Sequence, residues 1–174
     1  MSEGMINKLV PDAAQTVVVA GLGATGYACL EFLVGLGQNA IVVIDNRPLP
    51  PFAKRAGERF PNVEYRFGAA TLAPEFWAGA ELLVVSPGID PFDPLLAGSE
   101  GVARCSDIDL FMSATRAPVI GITGTNGKST VTSLVGHMLE QMLAPFEQTV
   151  KVGGNLGEPA LCLLYTSPSP RDRG

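Results

Sequence analysis

Twice in this chain a short apolar run empties into a glycine loop that opens a helix, and this recurrence constrains the fold more than any other feature. The first instance is "TVVVAGLGATGYACLEFLVGL" (residues 16–36) and the second is "PVIGITGTNGKSTVTSLVGHM" (residues 118–138). A strand that runs directly into a helix returns to its sheet parallel, so the alternation predicts an α/β protein built on parallel strands. "AIVVID" (Ala40–Asp45) and "ELLVVS" (Glu81–Ser86) add buried strands, and "EYRF" and "VARC" add weaker ones. Near Ser106 the pattern restarts: "DIDLFMSAT" reads as a short helix, "PVIGIT" as a strand and Lys128–Met142 as a helix. This places a first domain at residues 1–106 and the start of a second at 107–161, leaving 162–174 apart.

The first loop carries Gly21, Gly23 and Gly26 in the pattern G-x-G-x-x-G, after a strand and before a helix, with Asp45 closing the next strand. That context belongs to a phosphate-binding βαβ turn, in which small residues admit a diphosphate to the backbone and the helix start offers unpaired N–H groups. A tight turn without a ligand is the plainer alternative, but it leaves the trailing acid unexplained. The motif does not say which nucleotide is held.

The second loop, "GITGTNGKST", has glycines at 121, 124 and 127, whereas the generic P-loop places one at position 122. Its distal end is intact. Lys128 can reach β- and γ-phosphates and the following hydroxyl, Ser129, can ligate Mg²⁺, while Gly124 and Gly127 leave consecutive N–H groups free to point at phosphate. One chain with both loops is suited to joining a nucleotide-linked substrate to ATP chemistry.

A net charge of −5 excludes a general nucleic-acid binder, which carries a basic face, though it leaves room for small phosphate ligands. No stretch approaches the roughly twenty apolar residues of a membrane span, and Cys29, Cys105 and Cys162 form neither a CxxC pair nor a metal spacing. The expectation is therefore a cytoplasmic protein with reduced thiols. The final "CLLYTSPSPRDRG" lacks periodicity and reads as a disordered tail or, more sharply, as translated sequencing-adapter sequence appended to a truncated frame.

The shortened stride of "GTNGKST", together with "VVVAGLGATG", "VIDNR", "VVSPGI", "SDIDLF" and "GGNLGEPAL", resembles the Mur ligases, which build the peptide stem of bacterial peptidoglycan. Within that family the resemblance is to the branch that adds D-glutamate to UDP-N-acetylmuramoyl-L-alanine. It implies a Rossmann-like first domain that grips UDP, followed by the beginning of a P-loop ATPase domain. Around the UDP-linked substrate it implies Gly23, Ala24, Thr25, Gly26, Asp45, Arg47, Ser86, Pro87, Gly88 and Asn155, with Thr25 near the diphosphate. For ATP it implies Gly124, Thr125, Asn126, Gly127, Lys128, Ser129 and Thr130, with Lys128 as the catalytic cation and Ser129 on Mg²⁺. The implied chemistry is acyl-phosphate formation followed by amide synthesis in a monomeric parent, with no nucleic-acid or membrane partner. Family members continue well beyond this length, so this stretch by itself is expected not to ligate.

Two other readings compete. An NAD-dependent oxidoreductase accounts for "GLGATG" but not for the G-K-S-T loop, and a non-catalytic nucleotide-binding module accounts for both without turnover. Several residues are read as structural. His137 is a packing or surface residue, Asp107 and Asp109 belong to a helix start, Phe76 and Trp77 pack a connection, and Leu134, Met138, Leu139 and Met142 form a buried helix face.

Overall fold

The computed structural model describes residues 9–68, 72–154 and 157–165. The chain divides into two compact units, Met1–Ala114 and Thr115–Gly174.

The first unit is a parallel sheet of β1 (Thr16–Ala20), β2 (Ile41–Asp45), β3 (Glu64–Phe67), β4 (Ala80–Val85) and β5 (Ala103–Cys105), in the order β3-β2-β1-β4-β5. The β-branched run Val17–Val18–Val19 becomes the central strand because it can be buried on both faces, and all three valines are fully buried. It pairs with β2 in the register Val17↔Ile41 to Ala20↔Ile44, and with β4 from Val17↔Leu82 to Ala20↔Val85. Alternation sends Val18, Ala20, Val42, Ile44 and Leu83 to one face, where they pack with Trp77, Leu95 and Leu96. Helix α1 (Ala24–Gly35) lies against β1 and buries Cys29, Leu30 and Leu33.

Two short helices escaped the periodicity reading: α2 (Ala53–Arg59), which buries only Ala56, and α3 (Pro74–Ala78), which carries the buried Trp77. Helix α4 (Asp107–Ala114) starts on a reciprocal cap. The Asp109 carboxylate accepts from the Ser106 N–H and hydroxyl, both at 2.7 Å, and Ser106 Oγ accepts from the Asp109 N–H at 3.2 Å. The domain boundary differs from the sequence reading at 106/107. Helix α4 lies with the first unit, packs on α1 and β5, and buries Leu110 and Ser113 there.

The second unit is organised by helix α5 (Lys128–Leu143), followed by two 3₁₀ turns at Ala144–Phe146 and Ala160–Leu164. Gly136 is buried because the chain crosses close to it; a Cβ there would meet Val152 Cγ2 at 2.5 Å. Two expectations are corrected. Pro118–Thr123 forms no strand, since the described residues of this unit offer it no partner strand, and Val119 and Ile120 stand exposed. The side of α5 read as buried is also open to solvent, with Leu134 58% and Met138 54% exposed and Met142 more so. At the position 161/162 drawn from the sequence, the turn Ala160–Leu164 is continuous, and Lys151 Nζ donates to Leu163 O at 2.9 Å; residues 166–174 lie outside the described residues.

Candidate functional site

In a parallel sheet the crevice for a ligand opens beyond the carboxyl ends of the strands, where the chain order switches direction across the sheet. Here the switch lies between β1 and β4, whose ends feed "GLGATG" and "SPG" respectively. The geometry there is tightly stitched. Gly21 N–H donates to Ile44 O at 2.8 Å, Ser86 N–H donates to Ala20 O at 3.0 Å, and the buried Ser86 hydroxyl donates to Gly21 O at 3.2 Å.

Each glycine of the motif has its own reason. Gly21 has φ +89°, a left-handed conformation that side chains other than glycine's resist. At Gly26 a Cβ would lie 1.8 Å from Gly21 O, so no other residue fits. At Gly23, with φ −85°, a Cβ would meet nothing within 4 Å, so its bareness serves open space and not packing. Ala24 is exposed and Thr25 half-buried at the first turn of α1. That helix has no side-chain cap and no acidic residue in its first turn, which leaves its N–H groups and partial positive charge available to an anion.

Asp45 ends β2 fully buried, and four donors converge on its carboxylate. Leu22 N–H reaches Oδ2 at 2.7 Å, Arg47 N–H reaches Oδ1 at 2.9 Å, and the Arg47 guanidinium is bidentate at 2.8 and 2.6 Å. Burial pushes this carboxyl upward, but the hydrogen bonds from Arg47 and Leu22 outweigh it and hold the group below its usual range. Arg47 keeps 47% of its side chain exposed beside the loop. Pro87 and Gly88 are exposed in the turn after Ser86, which closes with Ile89 N–H donating to Ser86 O at 3.0 Å. The structure thus brings Gly23, Ala24, Thr25, Gly26, Asp45, Arg47, Ser86, Pro87 and Gly88 to one end of the first sheet. The bonds from Leu22 N–H to Asp45 and from Ser86 Oγ to Gly21 O were not legible as motifs.

The second loop forms a constellation of its own. Gly127, the residue before α5, has φ +74°, and Gly124 has φ +154°. Lys128 folds back over the loop, with Nζ donating to Gly124 O at 2.5 Å and lying 3.4 Å from Thr125 O. Thr125, Asn126, Ser129 and Thr130 are all exposed, and α5, like α1, starts without a side-chain cap or an early acid. An anion at this helix start would meet N–H groups, two hydroxyls and the Lys128 ammonium folded over the loop. Asn155 lies outside the described residues.

The residues treated as structural sort by environment. His137 is exposed, 3.8 Å from Glu140, and Trp77 is buried. Asp107 is buried, with Oδ1 unpartnered and its carboxyl pushed up by burial. Among the described residues no group of three or more His, Cys, Asp or Glu could hold a metal.

Comparison with known proteins bears on both units. Residues 15–103 match the family profile described as "Mur ligase MurD-like, N-terminal domain", and residues 122–167 match "Mur ligase middle domain". The chain is 46% identical over 163 residues to the UDP-N-acetylmuramoylalanine--D-glutamate ligase of Nitrosococcus oceani, covering 92% of this chain and 34% of that protein. To the enzymes of the same name from Marinobacter nauticus and Pseudomonas aeruginosa it is 44% and 42% identical, over 84% of this chain and 32% of each relative. It spans about a third of the length of these curated relatives. A solved structure, a pseudomurein peptide ligase type C from Methanothermus fervidus, aligns at 21% identity with a TM-score of 0.48, covering 73% of this chain and 26% of that one.

Proposed function

Since the chain belongs to the Mur ligase family, we propose that its parent protein adds D-glutamate to UDP-N-acetylmuramoyl-L-alanine with ATP, as a cytoplasmic step of peptidoglycan synthesis. The observation that carries this reading is 42–46% identity to ligases of that name over 84–92% of this chain. The first unit takes the UDP moiety at the carboxyl end of its sheet. Gly23 and the free N–H groups of α1 meet the diphosphate, and Arg47 and the Ser86–Gly88 turn stand on the nucleoside side.

The second loop takes the phosphates of ATP through its backbone N–H groups and Lys128, whose ammonium exchanges Gly124 O and Thr125 O for phosphate oxygens. Ser129 would hold Mg²⁺ together with phosphate oxygens, and the ion would neutralise charge there. The terminal carboxylate of the UDP-linked substrate attacks the γ-phosphorus, ADP leaves, and the amine of D-glutamate then displaces phosphate from the acyl phosphate. Phosphoryl transfer depends mainly on position and charge neutralisation, which an uncapped helix start and one lysine can supply. Asn155 is assigned to the substrate phosphates from the resemblance alone.

The oxidoreductase alternative needs the acid at the end of the second strand to accept ribose hydroxyls, and Asp45 already carries four donors. Calorimetry of this chain with UDP-N-acetylmuramoyl-L-alanine, UDP, ATP–Mg²⁺ and NAD side by side tests the assignment. Binding of the uridine ligands without NAD is expected; NAD binding in their place overturns it. Ligation itself is proposed for the longer protein. Product above background from this chain with ATP and both substrates would refute that restriction.

A further inference from the structure

An ionised carboxylate offers about four lone-pair positions. At Asp45 all four are taken from within the chain: Oδ1 accepts from Arg47 N–H and Nε–H, and Oδ2 accepts from Leu22 N–H and Arg47 Nη2. The residue is also fully buried. In dinucleotide-binding βαβ turns the acid at this place is a ligand because its oxygens face the ribose. Here donors from Arg47 and Leu22 occupy those oxygens instead.

We propose that Asp45 is a positioning residue and not a ligand. It fixes the Leu22 amide, and hence the entry to the glycine loop, with one oxygen. With both it holds the Arg47 guanidinium in plane, so that the outer edge of Arg47 meets the nucleotide. The consequence for specificity is direct. The acid makes no call on the ribose hydroxyls, and the strand end recognises its nucleoside through a fixed planar cation. This rests on the reading that the first unit takes a uridine nucleotide.

The test measures affinity for UDP and for 2′,3′-dideoxy-UDP in the wild-type chain, Asp45→Asn, Arg47→Ala and the double variant, alongside the Arg47 Nε–H signal in nitrogen-edited NMR. Asparagine turns one oxygen into a donor, which must face either the amide or the guanidinium. Asp45→Asn is expected to weaken UDP roughly tenfold or more. Most of that loss should vanish in the Arg47→Ala background, and the UDP to dideoxy-UDP ratio should be the same in wild type and Asp45→Asn. A ratio that collapses to one in Asp45→Asn, or an undiminished effect in the Arg47→Ala background, makes Asp45 a ligand and overturns the proposal.

The Nε–H signal reports without any nucleotide. Exchange slow in wild type and fast in Asp45→Asn supports the clamp even if UDP fails to bind, in which case the uridine reading alone falls. Exchange equally fast in both overturns the clamp. Should Asp45→Asn not fold, Arg47→Lys keeps the charge and loses the fork, and it is expected to bind UDP as weakly as Arg47→Ala. Wild-type affinity in Arg47→Lys would overturn the proposal.

Discussion

Alanine scanning of the three glycines in "GLGATG" should separate stability from binding, because the backbone gives each a different neighbourhood. At Gly26 the added methyl would sit 1.8 Å from Gly21 O, short of ordinary contact by well over an ångström. That carbonyl has little freedom to retreat, since Gly21 N–H is bonded to Ile44 O at 2.8 Å and the carbonyl itself accepts from Ser86 Oγ. Overpacking against fixed backbone costs about 3 kcal/mol, at the upper end of the usual range. With a urea slope of about 1.5–2 kcal/mol/M, the midpoint should fall by roughly 1.5–2 M.

Trp77, the only tryptophan, is buried in the first unit, so its fluorescence reports on that unit. Gly23→Ala is the control: its methyl meets nothing within 4 Å and its φ of −85° suits any residue. It should change stability by less than about 0.5 kcal/mol while weakening UDP, because the methyl would stand where the diphosphate is proposed to approach. Gly21→Ala should fall between, at about 1–2 kcal/mol for its positive φ. A Gly26→Ala midpoint equal to wild type would refute the packing argument, and a Gly23→Ala variant that lost stability but kept its affinity would refute the division of roles.

Lys128→Ala in the full-length parent should lower ATP-dependent ligation by about 10²–10³-fold, read as phosphate release; an unchanged rate would remove Lys128 from the chemistry. Burial, with a smaller contribution from Asp109, pushes the Cys105 thiol up to about 12. It should therefore stay unlabelled by iodoacetamide at about pH 8 in the folded chain and react in urea, as peptide mass mapping would show. Native labelling would contradict its burial. Asp107 is raised by burial, so its charged form opposes folding; stability is fully present below its unfolded value and lost as pH rises through the folded one. Asp107→Asn should raise the urea midpoint at about pH 7 by some tenths molar, and the gain should shrink on acidification. A gain that does not vary with pH would show that the carboxylate is not its cause.

The first sheet was legible because its strands are β-branched runs stopped by glycine or proline, as in "TVVVAG" and "VVSPG". Such runs persist wherever both faces can be buried. Helices α2 and α3 were not legible: with seven and five residues they are too short for a period to show. The second unit diverged for a different reason. "PVIGIT" and the apolar side of α5 carry strong local patterns, yet a strand or a buried face needs neighbours, and pattern alone does not supply them. Both glycine loops lead into the helices their residues suggested, Ala24–Gly35 and Lys128–Leu143. Their internal bonding was not legible, since nothing in "VIDNR" indicates that Arg47 turns back onto Asp45.

The parallel sheet also gives the first unit a direction that an experimenter can use. The turns proposed to hold the nucleotide, Gly21–Gly26 and Ser86–Gly88, lie past the carboxyl ends of the strands, while Gly37 and Gly79 lie in the turns that lead into their amino ends, with no nearby heavy atom close to a Cβ at Gly37. Strands of three to six residues keep the two rims apart by about 10–20 Å. A dye, spin label or surface tether attached at the amino-end rim, for instance through a cysteine introduced beside Gly37, leaves the opposite rim facing solvent. An immobilised chain oriented this way presents its glycine loop outward.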